Sequence, residues 1–129
     1  DMGIETIPTG YILIDGGAGS TVEFMSGTRP IPMDRVDVTV AHALAGQYLG
    51  MKLIYFEAGS GANYPVSSHL IKAVNDVIDI PMIVGGGIRT PEVAAELAHS
   101  GASIIVTGTV IEDDASRMKE FSDAIHWRE

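Results

Sequence analysis

A carboxylate stands at the end of an apolar run in the segment Tyr55-Phe56-Glu57-Ala58-Gly59-Ser60-Gly61. A charge there is costly to bury without a partner, so Glu57 needs hydrogen-bonding partners or a ligand, and a substrate hydroxyl is a natural one. Against such a hydroxyl Glu57 would accept the proton or weaken its bond, while Gly59, Ser60 and Gly61 shape the adjoining pocket. A rim carboxylate bonded to a neighbouring strand is the plainer alternative, and the Gly-Ser-Gly that follows favours chemistry. Two more turns suit a phosphate. Gly85-Gly86-Gly87-Ile88-Arg89-Thr90-Pro91 lets bare backbone N–H groups approach a ligand and leads into a helix with a partly positive N-terminus. Thr107-Gly108-Thr109 offers further N–H groups and a hydroxyl. Either turn alone reads as tight-turn glycine; the two together favour a phosphate site. Arg89 fits equally well as a reinforcement of that phosphate and as a surface arginine paired with Glu92.

Other candidates carry less. Asp15 ends an apolar run, but the glycine-rich stretch from Gly16 to Ser20 suits a plain mobile loop as well as a ligand contact. Arg29, in a loop stiffened by Pro30 and Pro32, could face an anionic ligand but reads better as a surface arginine. His42, His69, His99 and His126 fall on four separate predicted helices away from the strand ends, so neither a metal triad nor a catalytic dyad is expected.

These residues need elements to position them. Four continuous apolar runs, Tyr11 to Ile14, Leu53 to Phe56, Met82 to Val84 and Ile104 to Val106, predict parallel strands buried on both faces. Helical patterns follow. The first is expected from an Asp37 N-cap to a stop at Gly50, with Val40, Ala41, Leu44, Ala45, Tyr48 and Leu49 on its inner face. The second follows Pro65 and buries Leu70, Ile71, Val74 and Val77. The third has Thr90 as N-cap, Pro91 at the first helical position, Glu92 in the first turn and Gly101 just past its end. The fourth starts near Asp113 or Asp114 and buries Met118, Phe121 and Ile125, with Trp127 helping to close the core.

Alternating strand and helix implies an α/β fold with right-handed crossovers. A (β/α)8 barrel uses ~31 residues per unit, and 129 residues over four units give about the same. The length therefore equals half a barrel, with a small doubly wound open sheet as the competing architecture. In either, ligands bind at the C-terminal ends of the strands, where the glycine turns lie. The two turns after the last two strands match the usual phosphate site of a barrel. Gly3 reads as the glycine that closes a helix whose body is absent, so upstream sequence is expected.

Composition excludes several classes. With 8 Lys and Arg against 17 Asp and Glu, the formal net charge is −9, which argues against a general nucleic-acid binder. There is no cysteine, hence no disulfide scaffold, thiolate metal site or thiol nucleophile. No apolar run approaches the ~18 residues of a membrane span, and a cytoplasmic location is the expectation. Any anionic ligand must be held locally.

Three segments together carry a family resemblance: Tyr55 to Ala62, Ile83-Val84-Gly85-Gly86-Gly87-Ile88-Arg89-Thr90-Pro91, and Ile105-Val106-Thr107-Gly108-Thr109-Val110-Ile111-Glu112. Arg29-Pro30-Ile31-Pro32 and Ala43 to Gly50 add to it. The sequence resembles the geranylgeranylglyceryl phosphate synthases, prenyltransferases that make the first ether bond of archaeal membrane phospholipids. The resemblance implies a TIM-type (β/α)8 barrel of which residues 1–129 are the C-terminal half, strands 5 to 8. It further implies that Tyr55, Phe56, Glu57, Ala58, Gly59, Ser60, Gly61, Gly86, Gly87, Gly108 and Thr109 bind sn-glycerol 1-phosphate. Glu57 would hold the nucleophilic hydroxyl. That hydroxyl would be joined to geranylgeranyl diphosphate, with Mg²⁺ assisting the diphosphate. The family's metal and diphosphate contacts belong to the first half of the barrel, so this chain carries no metal ligand and by itself is expected to be inactive. Two open sheet edges invite pairing with the N-terminal half, on the same or a separate chain, and a homo-oligomer is expected. A sugar-phosphate isomerase barrel, with Asp15 as one of two acids, and a non-catalytic half-barrel are the rival readings.

Overall fold

The structure is a computed structural model that describes residues 2–126, so the expectation for Trp127 lies outside the described residues. Four strands, β1 (Thr9–Leu13), β2 (Leu53–Glu57), β3 (Met82–Gly85) and β4 (Ile104–Val106), form one parallel sheet in the order β1-β2-β3-β4. A doubly wound sheet reverses its strand order at a switch point, so this sequential order removes that architecture. Ile14 bridges to Ile31 beyond the end of β1 and ties the proline loop to the sheet edge.

The helices are α1 (Thr21–Ser26), α2 (Val36–Tyr48), α3 (Ser68–Asn75), α4 (Pro91–His99), α5 (Thr109–Asp113) and α6 (Met118–Ile125). Local chemistry sets several ends. Ser67 Oγ accepts from the Leu70 N–H and Thr90 Oγ1 from the Val93 N–H, each satisfying a donor that a helix start leaves free. Pro91 occupies the first position of α4 as expected. None of these helices is long and apolar enough to cross a membrane.

Register decides the two faces of the sheet. Tyr11, Tyr55, Ile83 and Ile104 are aligned across the strands, and so are Leu13, Glu57, Gly85 and Val106. Period-2 alternation puts both rows on one face. The other face, with Ile12, Ile54, Phe56, Met82, Val84 and Ile105, packs against Ala43, Leu70, Ile71, Val74, Ala94, Leu97 and Phe121 of the helices. The expectation of strands buried on both faces is therefore corrected. Helices cover one face, while on the other Tyr11 is 47% exposed, Ile104 46% and Val106 39%.

Three helix expectations are corrected as well. Helix α2 begins at Val36 after Arg35, and Asp37 is not its cap: its carboxylate takes two bonds from the Arg35 guanidinium. Its buried residues are Thr39 and Ala43, whereas Ala41, Ala45, Tyr48 and Leu49 are exposed. Small residues bring this helix close to the sheet, and Gly46 leaves just enough room for Ile54 Cδ1, which would lie 2.8 Å from a Cβ there. Val77 lies beyond the end of α3 and is exposed, and Ile78 is buried in its place. The fourth helical segment is broken into α5, a 3-10 turn at Ala115–Arg117 and α6. In it Met118 is exposed because Arg117, one turn before Phe121, takes the inward position and lays its guanidinium over the Phe121 ring.

Ile54 Cδ1 also sits 2.9 Å from the position a Cβ on Gly10 would take, so it fills the space between strand and helix. Ile54→Val removes that one atom. We expect a loss of about 1 kcal/mol in stability, measured by denaturant unfolding of the folded protein, because neighbours on two backbones cannot collapse into the gap.

Candidate functional site

Glu57 is the last residue of β2 and faces the open side of the sheet, half-buried. Its Oε1 accepts the Gly59 N–H at 2.8 Å. The Tyr55 hydroxyl, two residues earlier on the same face, hydrogen-bonds to the same carboxyl group. Burial first, then that bond and the Glu57 charge, push the Tyr55 phenol far above its ordinary range, so it remains a donor. Tyr11 packs its ring edgewise on Tyr55, with centroids 4.9 Å apart and planes at 63°. Burial and the Glu57 charge raise its phenol too. The carboxylate is thus gripped from the backbone on one side and from an aromatic pair on the other.

The glycines of the next turn make room for it. Gly86 has φ +86°, and a Cβ there would lie 2.5 Å from Glu57 Oε1 and 2.7 Å from the Gly59 nitrogen. Gly87 has φ +70°, and its Cβ would meet the Tyr64 backbone at 2.8 Å. Only a residue without a side chain lets these loops touch.

Beside Glu57 opens a cavity of about 360 Å³. Ser60 and Gly61 line it after β2, Gly86, Gly87 and Arg89 after β3, and Thr107, Gly108 and Thr109 after β4. Asp113 and Arg117 form a further part of its wall. Helix α5 starts at this wall from Gly108 with no side-chain cap, so the first-turn N–H groups are not taken by a capping side chain. The arrangement can hold a small anion among backbone donors while Glu57 faces a hydroxyl on the same molecule.

The structure brings Glu57, Ser60, Gly61, Gly86, Gly87, Gly108 and Thr109 around this one cavity. Tyr55 acts on it through Glu57. Gly59 gives its N–H to Glu57, and Ala58 is buried with its N–H on the Gly85 carbonyl. The Phe56 side chain points the other way, fully buried in the core under the helices. Asp15 is used locally: its Oδ1 accepts the Gly17 N–H at 2.9 Å. Glu92, a possible partner for Arg89, instead bonds to its own N–H and to the Thr90 hydroxyl, which hold its carboxyl below the usual range. Sequence reasoning missed Arg117, whose approach depends on how α6 packs, and helix α1. The signal for α1 was present: Ser20 Oγ accepts the Glu23 N–H, and Gly27 ends the helix at φ +64°.

Removing the Tyr55 hydroxyl tests the grip on the carboxylate. Tyr55→Phe is expected to lower stability by about 1.5 kcal/mol, from the loss of one hydrogen bond to a charged group. Denaturant unfolding of the two proteins side by side would check it.

A model of the PcrB family matches residues 1–125. A geranylgeranylglyceryl phosphate synthase of Methanopyrus kandleri is 51% identical over 124 residues, 96% of this chain and 51% of that protein. One from Chitinophaga pinensis is 48% identical over 124 residues, again 96% of this chain and 49% of the relative. Among solved structures, the (S)-3-O-geranylgeranylglyceryl phosphate synthase of Thermoplasma acidophilum in complex with sn-glycerol-1-phosphate superposes with a TM-score of 0.80 at 46% identity. That match covers 97% of this chain and 48% of the other. The chain spans about half the length of the curated relatives it matches.

Proposed function

The chain belongs to the PcrB family, and from that premise we propose that it supplies the glycerol-phosphate half of a geranylgeranylglyceryl phosphate synthase. The observation that carries this reading is that Glu57 and the Gly86-Gly87 and Gly108-Thr109 turns line the same cavity. In it sn-glycerol 1-phosphate sits with its phosphate on the glycine turns and, of its two free hydroxyls, the one to be prenylated on Glu57. Glu57 takes the hydroxyl proton as the oxygen bonds to C1 of geranylgeranyl diphosphate, and the C1–O bond to diphosphate breaks with its electron pair on the departing group. The similarity to a relative crystallised with that acceptor supports the assignment.

The sheet is then the second half of a (β/α)8 barrel. Its sequential order, its helices on one face and the exposed apolar residues of the other support this, because the open face would be the inside of the closed barrel. The remaining strands come from the segment or partner chain that makes up the rest of the relatives' length. Mg²⁺, when bound, would stabilise the charge on the departing diphosphate. Among the described residues no group of three or more His, Asp or Glu side chains is placed to hold it. The family resemblance puts its ligands in the other half, and no step here runs through it.

The test compares transfer by this chain alone with transfer by the assembled enzyme, given geranylgeranyl diphosphate, sn-glycerol 1-phosphate and Mg²⁺. The reading expects product from the assembly and none from the chain. Product from the isolated chain would sink the half-site account, and tight competition by ribulose or aminoimidazole phosphates would favour an isomerase.

A further inference from the structure

The chain carries a net charge of −9, and its cavity has two carboxylates, Glu57 and Asp113, on its walls. A phosphate dianion entering there needs positive charge close by. Arg89 and Arg117 both line the same cavity, and their guanidiniums differ in what they are doing. Arg117 is committed: its Nε pairs with Glu120, its Nη1 donates to the Arg89 carbonyl at 3.5 Å, and its plane lies over Phe121 at 5.4 Å. Arg89 takes part in none of the ion pairs among the described residues. Its Nη1 donates to a neutral acceptor, the Asn63 carbonyl, at 3.3 Å.

That bond also fixes where the guanidinium sits. Asn63 is held by its own N–H on the Gly16 carbonyl and by its side-chain amide on the Gly17 carbonyl. The Arg89 backbone is held in turn by Arg117. A chain of hydrogen bonds thus runs along the rim from the loop after β1, through the loops after β2 and β3, to the start of α6. Arg89 stands in the middle of it with its charge unneutralised and further N–H donors to spare. A guanidinium presents those donors as a flat fork that matches two oxygens of one phosphate.

We propose that Arg89 is the side chain that recognises the phosphate dianion in this cavity, and that it selects phosphorylated acceptors over uncharged polyols. The inference rests on the functional reading above and names the residue behind its substrate class. The glycine turns give neutral N–H donors, and Arg89 supplies the charge they lack.

The experiment titrates inorganic phosphate and sn-glycerol 1-phosphate separately into the assembled protein and into its Arg89→Gln and Arg89→Lys variants, with kinetics and thermal unfolding alongside. Arg89→Gln is expected to weaken both ligands about tenfold, as for one charge-assisted hydrogen bond. It should raise KM for the acceptor much more than it lowers kcat, and flatten the salt dependence of binding. Arg89→Lys should recover part of the affinity, since it keeps the charge and loses the fork. Affinities within twofold of the parent in both variants would overturn the proposal. So would a fall in kcat and melting temperature with binding unchanged, which would make Arg89 only a tie between loops. If the parent binds inorganic phosphate through Arg89 yet neither binds nor prenylates sn-glycerol 1-phosphate, Arg89 still stands as the phosphate-recognising side chain and the functional reading fails.

Discussion

Glu57→Gln in the assembled enzyme is expected to lower prenyl transfer by about a hundred- to ten-thousand-fold, the usual loss when a positioned general base is removed, with the folded structure intact. The amide keeps the shape of the carboxylate. Its oxygen can still accept the Gly59 N–H, and the Tyr55 hydroxyl can turn to accept where it now donates. What disappears is the basic oxygen that, in the proposed mechanism, takes the acceptor's proton. Single-turnover transfer measured beside thermal unfolding separates the two effects. Normal turnover would remove Glu57 from the mechanism, and loss of folding would show that the grip on the charge is structural.

Gly86→Ala is expected to have the second largest effect, and on binding. The residue sits at φ +86°, where a side chain costs about 1–2 kcal/mol before any contact is made. Its methyl would also lie 2.5 Å from Glu57 Oε1, 2.7 Å from the Gly59 nitrogen and 2.9 Å from the Ala58 nitrogen. Those are the carboxylate and the backbone around it, and two of the three atoms are main chain with nowhere to move. We expect acceptor affinity to fall by about a hundredfold or more, roughly 3 kcal/mol, by calorimetric titration. Gly108 provides the contrast: its φ is −99°, and a Cβ there would meet nothing nearer than Glu112 Oε1 at 3.8 Å. Gly108→Ala should therefore change stability by about 0.5 kcal/mol or less. Equal loss of stability at the two positions would contradict the view that Gly86, unlike Gly108, is sterically required.

Local signals made much of this legible in the sequence. The four strands are centred where continuous apolar runs place them, and α4 has the cap, proline and closing glycine that its sequence spells out. Glu57 and the glycine turns could be located because parallel α/β sheets put loops, and hence ligands, at one edge. The errors have long-range causes. Helix α2 is apolar nearly all round, so periodicity did not say which stripe faces inward; contact between Gly46 and Ile54 decides it. The last helical segment breaks because Asp114 turns back to bond the Ser116 N–H and hydroxyl, which favours a 3-10 turn over a continuous helix. Phe56 stands beside Glu57 in sequence but points to the opposite face, as alternation in a strand requires, and so is a core residue. Tyr11 packs on Tyr55 only because the register of β1 on β2 aligns them.

A structure of the assembled protein with sn-glycerol 1-phosphate bound would show whether one cavity holds both the phosphate and the reacting hydroxyl. The account predicts the phosphate within hydrogen-bond distance of the Gly87 and Thr109 backbone and of the Arg89 guanidinium, with a glycerol hydroxyl on the Glu57 carboxylate. Acceptor density in another cavity, or a phosphate in this one with its hydroxyls turned away from Glu57, would contradict it.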